Sequence, residues 1–471
     1  MSKQFGPGLL DNSHLSDLTS PPPLTPPHKG EGVVDASASE SPSPLWGGVR
    51  GGGATALPSN EAVALEASLG RASQPVRRIL DAALSGHEVS REDGEALFRA
   101  TGTDLAALLA SADAIRRARV GDRVTFATVR NINFTNVCYM ACQFCNFGVR
   151  KEAPGAELLS LDTVADRAEE AWNRGATEVC IQGGLHPDLP GDHYLKLLQA
   201  VKARVPGIHV HAFSPFEIWY GVRKSRMPLP DYLAMLRDAG LGSMPGTAAE
   251  ILDTEIRLQL TRNKLSAEEW EEIIRAAHAA GLRSTSTIMY GHIDGPSHWA
   301  AHIDRIRSIQ KDTGGFTEFV PLGFIHDQTR LFRDHRDARP GPSEAENLRM
   351  HAVARLMLAG WIDNIQVSWV KLGPEMAQTM LACGANDLGG TLMNESISRA
   401  AGARHGQEIT PAEMVRIIRA AGRIPVQRNT LYGVVEDYSD HDPAEIAPLV
   451  ERMAGASPVA FLDRHAMPAA E

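Results

Sequence analysis

From Val124 onward the sequence alternates short β-branched or apolar runs with amphipathic helices, and no other feature limits the fold as strongly. Strands are expected near VTFATVRNINFT, EVCIQGG, IHVHAFSP, LGSMPGT, RSTSTIMYGH, TEFVPLGF, IDNIQVSW and ANDLGGT. The helices between them carry clear punctuation. Ser266 with Glu269 makes a capping box before a helix that Gly281 ends, and Thr410, Pro411 and Glu413 do the same before Gly422. About eight parallel strands with helical crossovers predict an α/β fold, a (βα)8-type TIM barrel whose active site lies in the loops at the strand C-terminal ends. An open doubly wound sheet is the structural alternative.

The barrel is expected over residues 123–435. Residues 60–122 read as a helical preface, because NEAVALEASLG, SQPVRRILDAALSG and TDLAALLASADAIRRARVG each place apolar residues on one face and mostly close on Gly. Residues 1–59 hold SPPPLTPPHKGEG and SPSPLWGGVRGGG, rich in Pro, Gly and Ser and without apolar period. Such a stretch cannot offset its ordering entropy by burial, so a disordered low-complexity extension is expected. Residues 436–471 are expected to form a C-terminal helical tail.

The formal charge of -10 over 471 residues comes without a Lys/Arg run, so no nucleic-acid partner and no acidic lipid surface is expected. Small-molecule chemistry is the better fit. No stretch approaches the roughly 18 apolar residues of a membrane span, and the N-terminus lacks a charged region followed by an apolar core. A cytoplasmic protein without membrane association is expected. The pairs Gly314/Gly315 and Gly389/Gly390 lack the order of a dinucleotide fingerprint.

Three of the five cysteines fall within NINFTNVCYMACQFCNFGVRK, as Cys138-x3-Cys142-x2-Cys145. This loop follows the first barrel strand, which brings the thiols to the catalytic mouth. A structural zinc site wants four ligands and a second Cys/His pair, and none is near. A dithiol redox pair would leave Cys138 idle. Thiolates are the usual ligands of iron-sulfur clusters, and a cluster held by three of them keeps one iron open. Cys180 and Cys383, in apolar surroundings, read as small buried hydrophobes.

The C-x3-C-x-aromatic-C pattern, with Phe144 before the last cysteine, resembles the radical S-adenosylmethionine superfamily. The resemblance implies a 4Fe-4S cluster on Cys138, Cys142 and Cys145 whose open iron chelates the amino and carboxylate groups of S-adenosyl-L-methionine. One electron then splits the sulfonium into methionine and a 5'-deoxyadenosyl radical. It also implies that Phe144 lies beside the adenine and that Gly183 and Gly184 of IQGGLHP contact the cofactor. Leu185 stands where the superfamily usually carries an acid, so Gln182 or backbone carbonyls would take its part. Glu250, after SMPGTAA, either holds a ribose hydroxyl or substrate amine or simply opens the next helix as a first-turn acid.

Longer stretches resemble one family within that superfamily: NINFTNVC, IQGGLHPDLPGDHYLKLL, HVHAFSP, GLGSMPGTAAEIL, STSTIMYGHID, GGFTEFVPL, DNIQVSWVKLG, NDLGGTLMNESISR and TLYG. They are similar to the FO synthase subunit 2 family, radical transferases that move a 4-hydroxybenzyl group from L-tyrosine to 5-amino-6-(D-ribitylamino)uracil. The resemblance implies a companion FO synthase subunit 1 that closes the deazaflavin ring, and an electron donor such as ferredoxin or flavodoxin. With a single three-cysteine motif, the chain is expected to be the transferase subunit and not a fused form. Arg399, His211, Tyr290, His292, Glu318, Asn386 and Asp387 are chemically suited to line the substrate site. Two rival readings remain at this point: a futalosine-route enzyme of menaquinone biosynthesis (aminofutalosine synthase or dehypoxanthine futalosine cyclase), and a zinc-stabilised barrel that binds without chemistry.

Overall fold

The computed structural model describes residues 59–442 and 446. Apart from Ser59, the expected extension over 1–59 lies outside the described residues. Four helices come first: α1 (Ser59–Leu69), α2 (Gln74–Leu84), α3 (Arg91–Leu97) and α4 (Gly102–Val120). Helix α2 opens with Pro75 in its first turn, where the missing N–H costs nothing, and buries Val76, Ile79 and Leu80. The Ser90 hydroxyl caps α3 by accepting from the Asp93 N–H, and α4 ends at Gly121 with φ 66°. Helix α4 packs on the later helix Glu344–Leu358 and α3 on Pro296–Thr313, so the preface is bound to the outside of the barrel. Among the described residues no helix is long and apolar enough to cross a membrane.

The strands are β1 (Arg123–Ala127), β2 (Val129–Asn133), β3 (Glu178–Gln182), β4 (His209–Ala212), β5 (Ser243–Met244), β6 (Arg283–Tyr290), β7 (Phe316–Gly323), β8 (Asp387–Gly390), β9 (Ile424–Arg428) and β10 (Val434–Asp437). Strands β2 to β7 form a six-stranded parallel half-barrel in sequence order. Closure is looser. Residues 365–367 bridge from β7 to β8 through Phe319↔Ile365 and Gln366↔Asp387. Strand β8 then pairs with β1, while the Asn131 N–H donates to the Leu392 carbonyl at 2.9 Å and the Thr391 hydroxyl bonds both backbone groups of Val129. The expected α/β barrel fold is thus present as a partial barrel, a six-stranded parallel half joined through these bridges to the four-stranded sheet β10-β9-β1-β8.

Side chains reinforce the short backbone ladder at that seam. The buried Arg355 donates to Gly384 O, Asp363 O and Asn386 Oδ1, each at 2.7 Å, and Asn386 Oδ1 also accepts from the Ile365 N–H at 2.9 Å. Burial pulls the Arg355 guanidinium down to about 9, so the seam rests on a cation whose compensation is a full set of acceptors.

Strands β9 and β10 have no counterpart in the sequence expectation. Strand β9 pairs in parallel with β1, and β10 folds back on β9 through a turn over residues 429–433. This turn closes the end of the barrel opposite the cysteine loop. Thr430 donates to Glu178 at the start of β3, the Arg428 guanidinium bonds Asp387 at 2.5 and 3.0 Å and Glu318 at 3.3 Å, and Tyr432 donates to Glu318. The helical tail expected from 436 is corrected at its start, since Glu436 and Asp437 end β10 as strand; most of residues 438–471 lie outside the described residues.

Candidate active site

The cysteine loop runs from the end of β2 to the helix Leu161–Asn173, and a frame of hydrogen bonds fixes it. The Cys138 N–H donates to Val149 O and the Val149 N–H to Asn136 O, both at 2.9 Å, while the Asn136 side chain bonds Gly155 O and the Glu157 N–H. Ala141 takes the left-handed region with φ 53°, which turns the chain between Cys138 and Cys142, and the Cys145 N–H closes a turn onto Cys142 O at 3.2 Å. The three thiols line one outer chamber of about 280 Å³.

The glycines that follow β3 are pressed against this loop. A Cβ on Gly184 would stand 2.3 Å from Val137 O and 2.9 Å from the Cys138 Cβ, and one on Gly183 would stand 2.6 Å from the Phe134 ring. Their N–H groups are committed to protein: Gly184 donates to Thr135 O at 2.8 Å and Gly183 to the Glu217 carboxylate at 3.0 Å. Gln182 donates to the Thr247 hydroxyl at 2.7 Å. All three residues line the outer chamber beside the thiols. The glycines therefore serve close packing, with their chamber-facing surface left for a ligand.

Leu185 is buried and its carbonyl accepts from the Tyr139 N–H, so no carboxylate stands there. The acid on this wall is Glu217, which the sequence reading did not single out. It reaches in from the helix Pro215–Ser225, held in a capping box with Ser214, whose N–H and hydroxyl each donate to it at 2.8 Å. Burial raises its carboxyl to about 7, against the pull of the Ser214 and Gly183 hydrogen bonds. Its signal in the sequence was the Ser-Pro-Phe-Glu cap after β4.

Glu250 does not open a helix; it sits at φ 43° on the loop after β5 and lines the outer chamber. One carboxylate oxygen pairs with Lys264, and the other is buried without a hydrogen-bond partner among the described residues. Lys264 also lies 5.3 Å from the Phe144 ring centroid and 5.4 Å from that of Phe216. Burial raises all three thiols; they raise one another further, and Lys264 is among the leading charges that draw each one down.

Among the described residues no trio of His, Cys, Asp or Glu gathers closely enough for a single metal ion. An iron-sulfur cluster sets a different demand, because each cysteine takes its own iron and the sulfurs stand apart. Three half-buried thiols, whose thiolate forms repel one another and share one nearby cation, suit a polynuclear cationic centre that would hold them as thiolates. The unpartnered Glu250 oxygen and the glycine wall supply a polar grip and a close floor beside it. The residues fit the cluster and the nucleoside cofactor that the resemblance implies.

A second, inner chamber of about 230 Å³ opens from the first, lined by Asn131, Asn133, Cys180, Gln366, Ser368 and Glu395 among others. Gln182, Thr247, Leu322, Lys371, Ile397 and Ser398 belong to both chambers. Cys180 thus faces a cavity and is not merely a core hydrophobe; Cys383 is buried and donates to Thr379 O. His211, Tyr290, His292, Glu318, Asn386, Asp387 and Arg399 line neither chamber. Tyr290 donates to Asn347 at 2.6 Å, His211 bonds Ser243 at 2.7 Å, and burial takes the His211 imidazole down to about 3, which keeps it neutral. Glu318 and Asp387 belong to the Arg428 network at the far end of the barrel.

The chain matches the family described as Radical SAM superfamily over residues 132–306, and the CofH/MqnC C-terminal region over residues 313–441. It is 56% identical over 345 residues to the FO synthase of Mycobacterium tuberculosis, covering 73% of this chain and 40% of that protein. The chain therefore spans about 40% of the length of the FO synthases it matches. It is 47% identical over 363 residues to the 5-amino-6-(D-ribitylamino)uracil--L-tyrosine 4-hydroxyphenyl transferase of Methanothermobacter thermautotrophicus, covering 77% of this chain and 98% of that one. Among solved structures, methylornithine synthase aligns with TM-score 0.58 and 20% identity over 74% of this chain and 97% of its own. The hydrogenase maturase HydG of Carboxydothermus hydrogenoformans aligns with TM-score 0.60 and 15% identity over 79% and 84%. At those identities the two structures speak for the fold alone. The chain belongs to the radical SAM family that contains the FO synthases and the 5-amino-6-(D-ribitylamino)uracil--L-tyrosine 4-hydroxyphenyl transferase.

Proposed function

We propose that this chain is a radical S-adenosylmethionine transferase that cleaves L-tyrosine and joins its 4-hydroxybenzyl group to 5-amino-6-(D-ribitylamino)uracil, a step of deazaflavin (FO) coenzyme biosynthesis. The observation that carries the reading is the meeting of three thiols from one loop at the wall of a two-chambered pocket. Its agreement with a transferase 47% identical over 98% of its length selects this reaction within the superfamily.

Cys138, Cys142 and Cys145 would hold the 4Fe-4S cluster. When bound, the cluster and S-adenosylmethionine would supply the one-electron chemistry that removes hydrogen from tyrosine. The chain's own residues bind, orient and exclude water. Lys264 offsets thiolate charge and holds Glu250 in place, whose free oxygen then accepts from a ribose hydroxyl or an ammonium. Phe144, with Lys264 behind it, offers an apolar face to the adenine. Gly183 and Gly184 let the cofactor lie close to the second strand, and Glu217 anchors that wall through the Gly183 N–H. Enclosure matters because a primary carbon radical abstracts hydrogen from whatever it meets, so the site must present only the substrate.

The product still lacks its third ring. We assign ring closure to a companion radical enzyme, FO synthase subunit 1, and cluster reduction to a ferredoxin or flavodoxin. A reducing cytoplasm suits both the thiolates and the donor. The test is anaerobic incubation of iron-loaded protein with S-adenosylmethionine, a reductant, tyrosine and the ribitylaminouracil, followed by mass analysis. Deoxyadenosine, methionine and the hydroxybenzylated pyrimidine are expected. No tyrosine-dependent deoxyadenosine, or turnover of a futalosine-type substrate instead, would overturn the reading.

A further inference from the structure

Among the described residues two cations line the outer chamber, Lys264 and Lys371, and they differ in one respect. Lys264 is engaged: it pairs with Glu250, lies over Phe144 and Phe216, and acts on each of the three thiols. Lys371 is not. Its ammonium makes no ion pair or hydrogen bond among the described residues, and it is absent from the leading charges on the thiols.

Lys371 is held on a fixed element at the passage between the chambers. It lies in the short helix Trp369–Leu372, which is pinned by the Trp369 indole donating to Gly390 O at 2.9 Å. Burial lowers its pKa, and the charge opposing that is Glu395, whose carboxylate already accepts the Ser398 N–H at 2.9 and 3.1 Å. Lys371 is half-buried in the lining of both chambers, and an ammonium partly withdrawn from water without a hydrogen-bonded partner gains from an anionic ligand.

We infer that Lys371 holds the carboxylate of the amino-acid substrate at the junction of the outer and inner chambers. The inference rests on the reading of the chain as a tyrosine-cleaving transferase. Of its two substrates only the amino acid carries a carboxylate; the ribitylated pyrimidine is a neutral polyol and amide, suited to Asn131, Asn133 and Gln366 in the inner chamber. Lys264 and Glu250, already paired with each other in the outer chamber, are left to the cofactor. A carboxylate on Lys371 sets the amine and Cα at the passage, between the cofactor wall and the polar chamber. There the hydrogen can be taken on one side and the benzyl fragment delivered on the other.

The experiment is calorimetric titration of anaerobic, iron-loaded, S-adenosylmethionine-bound protein with L-tyrosine and with tyramine, which lacks the carboxylate. Wild-type protein is expected to bind tyrosine at least about tenfold more tightly than tyramine, the scale of one charge-assisted hydrogen bond. Lys371→Met should lose that preference and keep its iron, and Lys371→Arg should retain most of it. Unchanged tyrosine affinity and preference in Lys371→Met would overturn the inference while leaving the function intact. Loss of iron in Lys371→Met and Lys371→Arg alike would also overturn it, by placing the residue in the support of the cluster. Iron-replete wild-type protein that binds no tyrosine would sink the functional reading itself, and the inference with it.

Discussion

Gly184→Ala tests whether the turn after β3 sets the position of the cysteine loop. The new methyl would stand 2.3 Å from Val137 O, 2.8 Å from Val137 C and 2.9 Å from the Cys138 Cβ. An ordinary contact begins near 3.4 Å, so the backbone of the loop must retreat by about 1 Å, and no flexible side chain can yield in its place. Overpacking of a well-packed site costs about 1–3 kcal/mol, and backbone opposition puts this case at about 3. With roughly 2.1 cal/mol/K of unfolding entropy per residue over the described fold, that corresponds to a melting temperature lower by about 4 °C. The functional effect should be larger, because the residue displaced is Cys138 itself. Gly148→Ala provides the scale: its methyl would approach the same Cys138 Cβ at 3.1 Å, which needs only a few tenths of an ångström of movement. Thermal melting of the metal-free variants and iron per protein after anaerobic reconstitution should rank wild type, Gly148→Ala and Gly184→Ala in that order, with less than half the wild-type iron in the last. Full iron and an unchanged melting temperature in Gly184→Ala would refute the packing argument.

The same geometry sets further outcomes. Cys138→Ala, Cys142→Ala and Cys145→Ala should each abolish S-adenosylmethionine cleavage, while Cys180→Ala keeps its iron; cleavage surviving in any of the three contradicts the ligand assignment. Glu217 has its folded carboxyl raised from 4.5 to about 7, so the fold binds its proton more tightly than the unfolded chain does. Its contribution is fully present below pH 4.5 and is lost as pH rises to about 7, a swing of about 3 kcal/mol. Urea unfolding of the metal-free protein at pH 5 and pH 8 should show that loss, and Glu217→Gln should reduce it; an equal pH dependence in the variant would show another group responsible. Tyr432→Phe removes a hydrogen-bond donor from the buried Glu318 and should cost about 1–3 kcal/mol with iron loading unchanged; a loss of iron without a loss of stability would mean the network reaches the site.

The barrel was legible because most of its strands are short β-branched or apolar runs bounded by Gly or a cap, and this pattern is local. Strands β9 and β10 were not, since Ile424–Arg428 carries a proline and a charge and finds its partner, β1, some three hundred residues earlier in the chain. The cysteines were legible for the same local reason: one loop supplies all three. Glu217, Lys264 and Lys371 were hidden because each follows a different strand, and only the folded barrel brings them to one chamber. Glu318 and Asp387 were placed at the wrong end. Periodicity identifies a strand but not which of its ends meets the ligand, and in strands of four to eight residues the two ends are a few positions apart. Their true partner, Arg428, lies on a strand that the pattern did not reveal.

The central claim is that three cysteines hold a cluster with one iron left for S-adenosylmethionine, and electron paramagnetic resonance of the reduced, reconstituted protein reads it directly. The account predicts about four irons per chain and a reduced 4Fe-4S signal that changes on addition of S-adenosylmethionine. Stoichiometric zinc without iron, or a cluster signal indifferent to S-adenosylmethionine, would contradict it.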